Sequence, residues 1–155
     1  MSAAANLPRL QLRRNEDRRI RHGHHWVYSN EVDTAATPLK PFAAGEQALL
    51  VGATGRTLGV AFVNPHSLIC ARLLDRHATA ALGADFLRER LETALALRER
   101  LFDKPFYRLV YGDSDGLPDL IVDRYGEVLV LQVGTAGMER LLEELLAVLV
   151  DLLAP

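Results

Sequence analysis

The chain has one cysteine, no long apolar run and few lysines, and each of these shortages excludes something. With Cys70 as the sole cysteine among 155 residues, neither an intramolecular disulfide nor an all-cysteine metal site can form. No run of about 18 apolar residues occurs, and residues 1–12 lack the apolar segment of an export signal. We therefore expect a cytoplasmic protein without a membrane segment, whose fold rests on packing of its 49% apolar residues.

Charge is unevenly divided along the chain. Residues 1–76 carry ten Lys and Arg against six Asp and Glu, whereas residues 77–155 carry eight against fourteen. Sixteen of the eighteen cations are arginine, and the early ones are Arg9, Arg13, Arg14, Arg18, Arg19 and Arg21. Because a guanidinium fits phosphates and stacks on bases, this cluster is a candidate polyanion contact. A solvated charged segment, with Glu16 and Asp17 as local partners, is the alternative that composition leaves open.

The residue pattern changes from strand-like to largely helical near Arg76. Short apolar segments between glycine and proline turns predict strands near 7–12, 47–51, 57–64 and 67–74, which favours a small β-barrel. Further along, the periodicity predicts a helix at about 85–102, strands at 106–111, 120–125 and 127–133, and a last helix at about 137–153. The expected fold class is α+β: an N-terminal barrel over 1–76, then a mixed α/β domain over 77–155 with two long helices and a few-stranded antiparallel sheet.

Two motifs go beyond composition: RHGHHWVYSNEV at 21–32 and YRLVYGDSDGLPDLIVDRYG at 107–126. Both resemble motifs of the large-subunit ribosomal-RNA cytosine-C5 methyltransferase I family, the first in its PUA domain and the second in its central domain. The segment LGVAFVNPHSLICARLL between them is similar to that family's barrel-closing strands. Two positions differ, since His25 replaces the usual proline and Asp119 the usual glycine. Asp119 must then accept a glycine's backbone angle, which aspartate tolerates better than most residues.

The resemblance implies a three-part protein of which this chain holds two parts. A PUA-like RNA-binding barrel (1–76) and a central domain (77–155) would precede a methyltransferase domain, absent here, that binds S-adenosylmethionine. The implied function is recognition of ribosomal RNA for a 23S rRNA cytosine-C5 methyltransferase, without catalysis by this chain alone. Two alternatives stay open: a free-standing PUA-type RNA-binding adaptor, and an interaction module that forms a homodimer through its leucine-rich last helix.

No catalytic or metal centre is expected in the chain itself. Dinucleotide-type cofactor sites use a glycine-rich turn after a strand, and no G-x-G segment occurs. Methylation at carbon-5 needs a cysteine thiolate that adds to carbon-6, but Cys70 lies in an apolar predicted strand, which favours a buried, inert thiol. His22, His24 and His25 have no cysteine or carboxylate at ligand spacing, so a structural turn is favoured over a metal site.

The candidate site residues fall into two sets. The candidate RNA contacts are Arg13, Arg14, Arg18, Arg19, Arg21 and Arg72. The residues expected at the junction with the missing domain, or near its active site, are Tyr107, Arg108, Asp115, Asp123, Arg124 and Tyr125. Trp26 and Tyr28 share one side of a strand and could stack on bases, but core packing is favoured for Trp26.

Overall fold

A computed structural model describes residues 6–155, so the first five residues of the expected barrel domain lie outside the described part. The chain divides into two compact units, one ending at Leu82 and the other spanning Gly83–Pro155. The division falls after Leu82, whereas the sequence pattern places a boundary after Arg76. Each unit has its own sheet.

The first unit is built on a five-stranded sheet with one short helix. Its strands are β1 (Arg9–Gln11), β2 (Trp26–Tyr28), β3 (Glu46–Val51), β4 (Thr57–Val63) and β5 (Ile69–Asp75), and α1 (Asp17–Arg21) lies between β1 and β2. The strand order is β1-β3-β4-β5-β2. β1 runs parallel to β3, and the other neighbours are antiparallel. β3, β4 and β5 lie where the short apolar segments between glycine and proline turns predict them.

The two edges of this sheet are joined, which curls it around a core. Leu12 forms a bridge with Val32, just beyond the ends of the edge strands β1 and β2. The Asp33 amide donates to the Gln11 carbonyl at 2.9 Å, and the Arg13 amide donates to the Glu31 carbonyl at 2.9 Å. The enclosed side chains are Leu10, Leu12, Ile20, Val27, Val32, Ala48, Leu50, Leu58, Ala61, Val63, Cys70, Ala71 and Leu73. The expected small β-barrel is confirmed.

Gly59 is the point where β4 and the end of β5 approach most closely. Its φ is +133°, and a Cβ there would lie 2.1 Å from the Asp75 carbonyl oxygen and 2.8 Å from the Arg76 Cα. Only a glycine permits this approach, because both neighbours are backbone atoms. It sets Asp75 and Arg76 against the first residues of β4.

The second unit packs helices against a three-stranded antiparallel sheet. Its elements are α2 (Ala84–Leu101), β6 (Phe106–Tyr111), β7 (Leu120–Tyr125), β8 (Val128–Val133), α3 (Ala136–Arg140) and α4 (Leu142–Leu153). The strand order is β6-β7-β8, and α2 packs against β6 and α4. The expected α+β class and antiparallel sheet are confirmed. The last helical segment, expected as one helix, is interrupted at Leu141, whose ψ is 7°.

The leucine-rich helix α4 uses most of its apolar side chains inside its own unit. Leu145, Val148 and Leu149 are buried, while Leu146 and Val150 remain exposed. Homodimer formation through this helix therefore stays a prediction. No helix in the described residues 6–155 is long and apolar enough to cross a membrane.

The turn between β6 and β7 confirms the backbone requirement at Asp119. Asp119 has a φ of 55°, and Gly112 and Gly116 in the same turn have φ values of 55° and 70°. The left-handed region is costly for most side chains but is tolerated by aspartate. The aspartate thus adopts the conformation that the family's usual glycine would supply.

Candidate nucleic-acid interface

Strand β2 presents its two aromatic side chains to solvent. Val27, opposite Ala71 in the register, takes the inward position and is fully buried. Trp26 is 38% exposed, and Tyr28 is half-buried. The expectation that Trp26 packs in the core is therefore wrong. Alternation correctly puts Trp26 and Tyr28 on one side of the strand, and that side is the outer one.

An arginine lies over each of these rings. Arg72 is the cross-strand partner of Trp26, and its guanidinium carbon lies 5.2 Å from the indole centroid. Arg19, on α1, lies 5.2 Å from the centroid of the Tyr28 ring. These distances are within the range of cation–π attraction. We call the four side chains Arg19, Trp26, Tyr28 and Arg72 the aromatic–arginine surface.

Glu31 fixes the Tyr28 end of this surface. Its Oε1 accepts a hydrogen bond from Arg19 Nη1 at 2.7 Å, and its Oε2 accepts one from the Tyr28 amide at 2.7 Å. Glu31 is only 6% exposed, and a buried carboxylate needs such partners. Arg19 is consequently held in place over Tyr28, with part of its charge balanced by the carboxylate.

The other predicted RNA contacts lie in and before α1. Arg13 donates from Nε to the Val32 carbonyl at 3.1 Å, and Arg21 pairs with Asp17 at 3.1 Å. Arg14 and Arg18 are exposed. The structure therefore brings Arg19 and Arg72 together with β2, and distributes the other predicted arginines along the preceding segment.

Three of the residues expected at a domain junction are engaged inside the second unit. Arg98 makes two hydrogen bonds to Asp115, at 2.6 and 2.7 Å, and both side chains are almost fully buried. The Tyr107 hydroxyl accepts a hydrogen bond from Arg124 Nη1 at 3.0 Å, and the Tyr107 ring stacks on Phe102. Tyr107, Asp115 and Arg124 thus hold the unit together.

The other three lie on the exposed side of the β6-β7-β8 sheet. Register aligns Phe106, Tyr125 and Val128 in one row, Arg108, Asp123 and Val130 in the next, and Tyr111, Ile121 and Gln132 in a third. We call these nine residues the outer face of the second sheet. Phe106, Tyr111, Tyr125, Val128 and Val130 are large apolar side chains that this face leaves exposed.

An ion pair lies in the middle row of the outer face. Arg108 donates to both carboxylate oxygens of Asp123, at 2.8 and 3.1 Å. The hydrogen bond from Arg108 lowers the pKa of Asp123 below its ordinary value. The pair therefore stays ionised at neutral pH, and both of its groups are reachable from solvent.

Cys70 has the setting of a packing residue. The side chain is fully buried, and desolvation raises the pKa of its thiol to about 11. A thiol with this pKa is protonated at neutral pH, so it is not a nucleophile there. Among residues 6–155 there is also no group of three or more His, Cys, Asp or Glu side chains arranged to hold a metal ion.

The described residues do not fit a nucleotide-type cofactor site. Such sites occur where parallel strands of a doubly wound sheet change direction, next to a glycine-rich turn. In residues 6–155 the single parallel pairing is that of β1 with β3, and the sheet of the second unit is antiparallel throughout.

A second group of basic side chains is not evident from the sequence pattern. Arg56, Arg76 and His77 flank the ends of β4 and β5. Arg76 and His77 are adjacent, but Arg56 lies twenty positions earlier, so the three form no cluster that composition could detect. The signal that could have found them is their position at neighbouring ends of two predicted antiparallel strands.

Comparison with known proteins identifies first a domain and then similar proteins. Residues 10–76 match the family model of the PUA-like domain, so the first unit contains a PUA-like domain. The chain is also 36% identical over 157 residues to a ribosomal RNA large subunit methyltransferase of Deinococcus radiodurans, covering 92% of the chain and 38% of that relative. It is 36% identical over 135 residues to ribosomal RNA large subunit methyltransferase I of Shewanella denitrificans, covering 85% of the chain and 34% of that relative.

Over most of its own length the chain is similar to part of these ribosomal RNA large subunit methyltransferases. It spans about a third of the length of the curated relatives that it matches. A solved protein from Streptococcus mutans, assigned as a SAM-dependent methyltransferase, matches with a TM-score of 0.76 at 15% identity, over 94% of this chain and 38% of that chain. A second, assigned as a methyltransferase and solved with SAH, gives a TM-score of 0.77 at 14% identity. At such identities the structures support the fold alone.

Proposed function

We propose that the chain is the RNA-binding, substrate-recognition part of an S-adenosylmethionine-dependent 23S rRNA cytosine-C5 methyltransferase. The observation that carries this proposal is the aromatic–arginine surface on a PUA-like domain. The excess of cations over acidic residues in the first unit and the ribosomal RNA named for the relatives support it. The proposal places the protein in the cytoplasm, where ribosomal RNA is found.

The surface offers both kinds of contact that single-stranded or looped RNA uses. An unpaired base can stack on the exposed part of Trp26 or on the plane of a guanidinium. Phosphates on either side can be held by the exposed arginines of the segment before β2, Arg13, Arg14 and Arg18. Stacking would orient the base, and the contacts between the arginines and the phosphates would make the affinity depend on salt concentration.

Removing the indole should weaken RNA binding. We expect Trp26→Ala to reduce affinity for a structured ribosomal-RNA fragment about tenfold, within the roughly 1–3 kcal/mol that one stacked base contributes. The slope of log affinity against log salt should stay unchanged, because no charge is lost. Arg72→Gln should lower both the affinity and the slope. Fluorescence anisotropy at several salt concentrations measures both quantities.

Two control variants separate stacking from folding and from general charge. Trp26→Phe keeps an aromatic face and should recover most of the affinity. Arg100→Gln removes an exposed arginine of α2, in the acidic second unit, and should change little. A wild-type chain whose binding ignored salt, or a Trp26→Ala variant that bound as well as wild type, would remove the surface from the RNA contact.

Methyl transfer itself is assigned to another part of a longer protein. S-adenosylmethionine would supply the methyl group, but the residues described here do not fit its site. Within the proposal, the PUA-like domain grips the RNA, and the second unit connects it to the catalytic domain. The lengths of the relatives leave room for such a domain, since about two thirds of each relative lies outside the matched part.

We further propose that the outer face of the second sheet docks against that catalytic domain. The face carries five exposed large apolar side chains around the Arg108–Asp123 ion pair. Contiguous exposed apolar surface of this kind marks interaction sites in soluble proteins. Of the residues expected at the junction, Arg108, Asp123 and Tyr125 would make the contact, and Tyr107, Asp115 and Arg124 would support it from inside.

Hydroxyl-radical footprinting of the 155-residue chain and of the longer protein can test this docking. We expect Phe106, Tyr111 and Tyr125 to be labelled in the chain and protected in the longer protein. Trp26, on the first unit, should be labelled in both and serves as the internal reference. Equal labelling of Phe106 and Tyr125 in the two proteins would exclude the outer face as the docking surface.

A further inference from the structure

A basic pocket lies in the first unit between α1 and the ends of β4 and β5. Its volume is about 470 Å³, and it is lined by Ile20, Arg21, His22, Arg56, Thr57, Leu58, Arg76 and His77. Pockets that take small ligands have volumes of roughly 300–1,000 Å³. Three arginines and two histidines contribute to the lining, and none of these lining residues is acidic. Such a wall attracts anions.

Arg76 is held rigidly at the α1 side of the pocket. Its Nη1 donates to the Ile20 carbonyl, and its Nη2 donates to the His24 carbonyl at 2.9 Å. A guanidinium has five N–H donors, so these two bonds leave others for a ligand. The close approach at Gly59 fixes the backbone of Arg76 against β4. An anion would thus meet a preorganised donor, which lowers the entropic cost of binding.

Arg56 also keeps its donors available. His22 Nδ1 donates to the Arg18 carbonyl at 2.6 Å, so Nε2 of the neutral ring is an acceptor and adds no donor to the pocket. Arg56 is exposed, and its side chain forms no ion pair within the described part of the chain. Arg21 forms an ion pair with Asp17, whose carboxylate offsets one of the three guanidinium charges. The pocket therefore keeps a net positive charge from Arg56 and Arg76.

We propose that this pocket holds a phosphodiester of the bound RNA together with its ribose. The inference rests on the proposed function and adds to it a second contact, distinct in residues from the aromatic–arginine surface. Guanidinium forks match phosphate oxygens, and the Thr57 hydroxyl provides a neutral donor beside them. The volume exceeds what a bare phosphate needs and suits a sugar phosphate. The pocket would position the RNA strand without reading its sequence.

The test removes one pocket charge from the intact chain and measures RNA binding against salt. We expect Arg56→Gln to weaken binding several-fold and to reduce the salt slope by about one, equally for two RNA fragments of different sequence. The double variant Arg56→Gln/His77→Gln should weaken binding further. Both side chains are exposed, so neither change should disturb folding. Arg100→Gln is the matched control and should leave affinity and slope as in wild type.

The outcomes separate this inference from the proposed function. If Arg56→Gln behaves like Arg100→Gln while Trp26→Ala still weakens binding, the pocket is not an RNA contact and the proposed function stands. If the wild-type chain binds no RNA, the proposed function and the pocket assignment both fail.

A second readout identifies the source of the phosphate. NMR signals of the Arg56 and Arg76 Nε–H groups should shift when RNA is added. Signals that respond to inorganic phosphate but not to RNA would assign the pocket to a free anion and overturn the proposal.

Discussion

Gly59→Ala is expected to destabilise the first unit by more than about 3 kcal/mol, in the range reserved for overpacking against an immovable neighbour. The added Cβ would lie 2.1 Å from the Asp75 carbonyl oxygen, inside any real contact distance. Neither strand can yield easily, because Val60–Val63 of β4 pair with β5, and β4 is also paired with β3 on its other side. The φ of +133° adds strain for any residue with a Cβ. Urea unfolding followed by the fluorescence of Trp26, the sole tryptophan, measures the loss in this unit.

Gly55 provides the matched control for the clash at Gly59. It also has a positive φ, +82°, but a Cβ there would meet nothing within 4 Å. Gly55→Ala should therefore lower the stability only by the backbone strain of an alanine at positive φ, about 1–2 kcal/mol. Similar losses for the two variants would mean that β5 can shift away from β4. The fixed position of Arg76 in the basic pocket would then lose its explanation.

The strands and helices were largely predictable because their local signals are strong. β3, β4 and β5 are short apolar segments separated by glycine and proline turns, and α2 shows an apolar stripe that includes the buried residues Leu91 and Ala94. The left-handed angle at Asp119 followed from the glycine that it replaces in the resembling motif. The break at Leu141 could not be predicted, since the apolar periodicity continues through it.

The candidate site was less predictable because its geometry is tertiary. Alternation shows that Trp26 and Tyr28 share a side, but in a strand of only three residues nothing local says which side faces the core. Arg19 contacts Glu31 and Tyr28 only because the fold places α1 beside β2. The basic pocket likewise needs the register of β4 and β5, because Arg56 and Arg76 are twenty positions apart in the printed sequence.

The two arginine–aspartate pairs of the second unit also differ in a way that only the tertiary structure reveals. The sequence places both Asp115 and Asp123 among the residues expected at the junction, and says nothing of how deeply each is buried. The structure places Asp115 in an almost fully buried pair with Arg98, and Asp123 in an exposed pair with Arg108. Burial decides the consequence of losing a partner, since an unpaired charge is costly only where water cannot replace the partner.

Asp115→Asn should destabilise the second unit by about 3–5 kcal/mol, the usual result of leaving one buried charge without its partner. Arg98 would keep its charge at a site where its side chain is only 12% exposed. Asparagine can still accept the Tyr111 amide hydrogen bond that Asp115 Oδ2 now accepts at 2.7 Å, so the loss reports mainly on the ion pair. Arg98→Met should lower the stability by a similar amount, because it leaves the buried Asp115 carboxylate without its partner. Unfolding monitored by circular dichroism or by hydrogen exchange of β6 amides measures each change.

A double variant tests whether the stabilising effects of Arg98 and Asp115 depend on each other. Arg98→Met/Asp115→Asn leaves no buried charge, so its cost should fall short of the summed single costs by about 2 kcal/mol or more. The comparison pair is Arg108→Met/Asp123→Asn on the outer face, where solvent replaces the lost partner and the single changes should have much smaller effects. Additive costs at Arg98 and Asp115 would show that the two charges are not coupled. Because this pair ties α2 to the turn that shapes the outer face, a coupled loss should also disorder the surface proposed for docking.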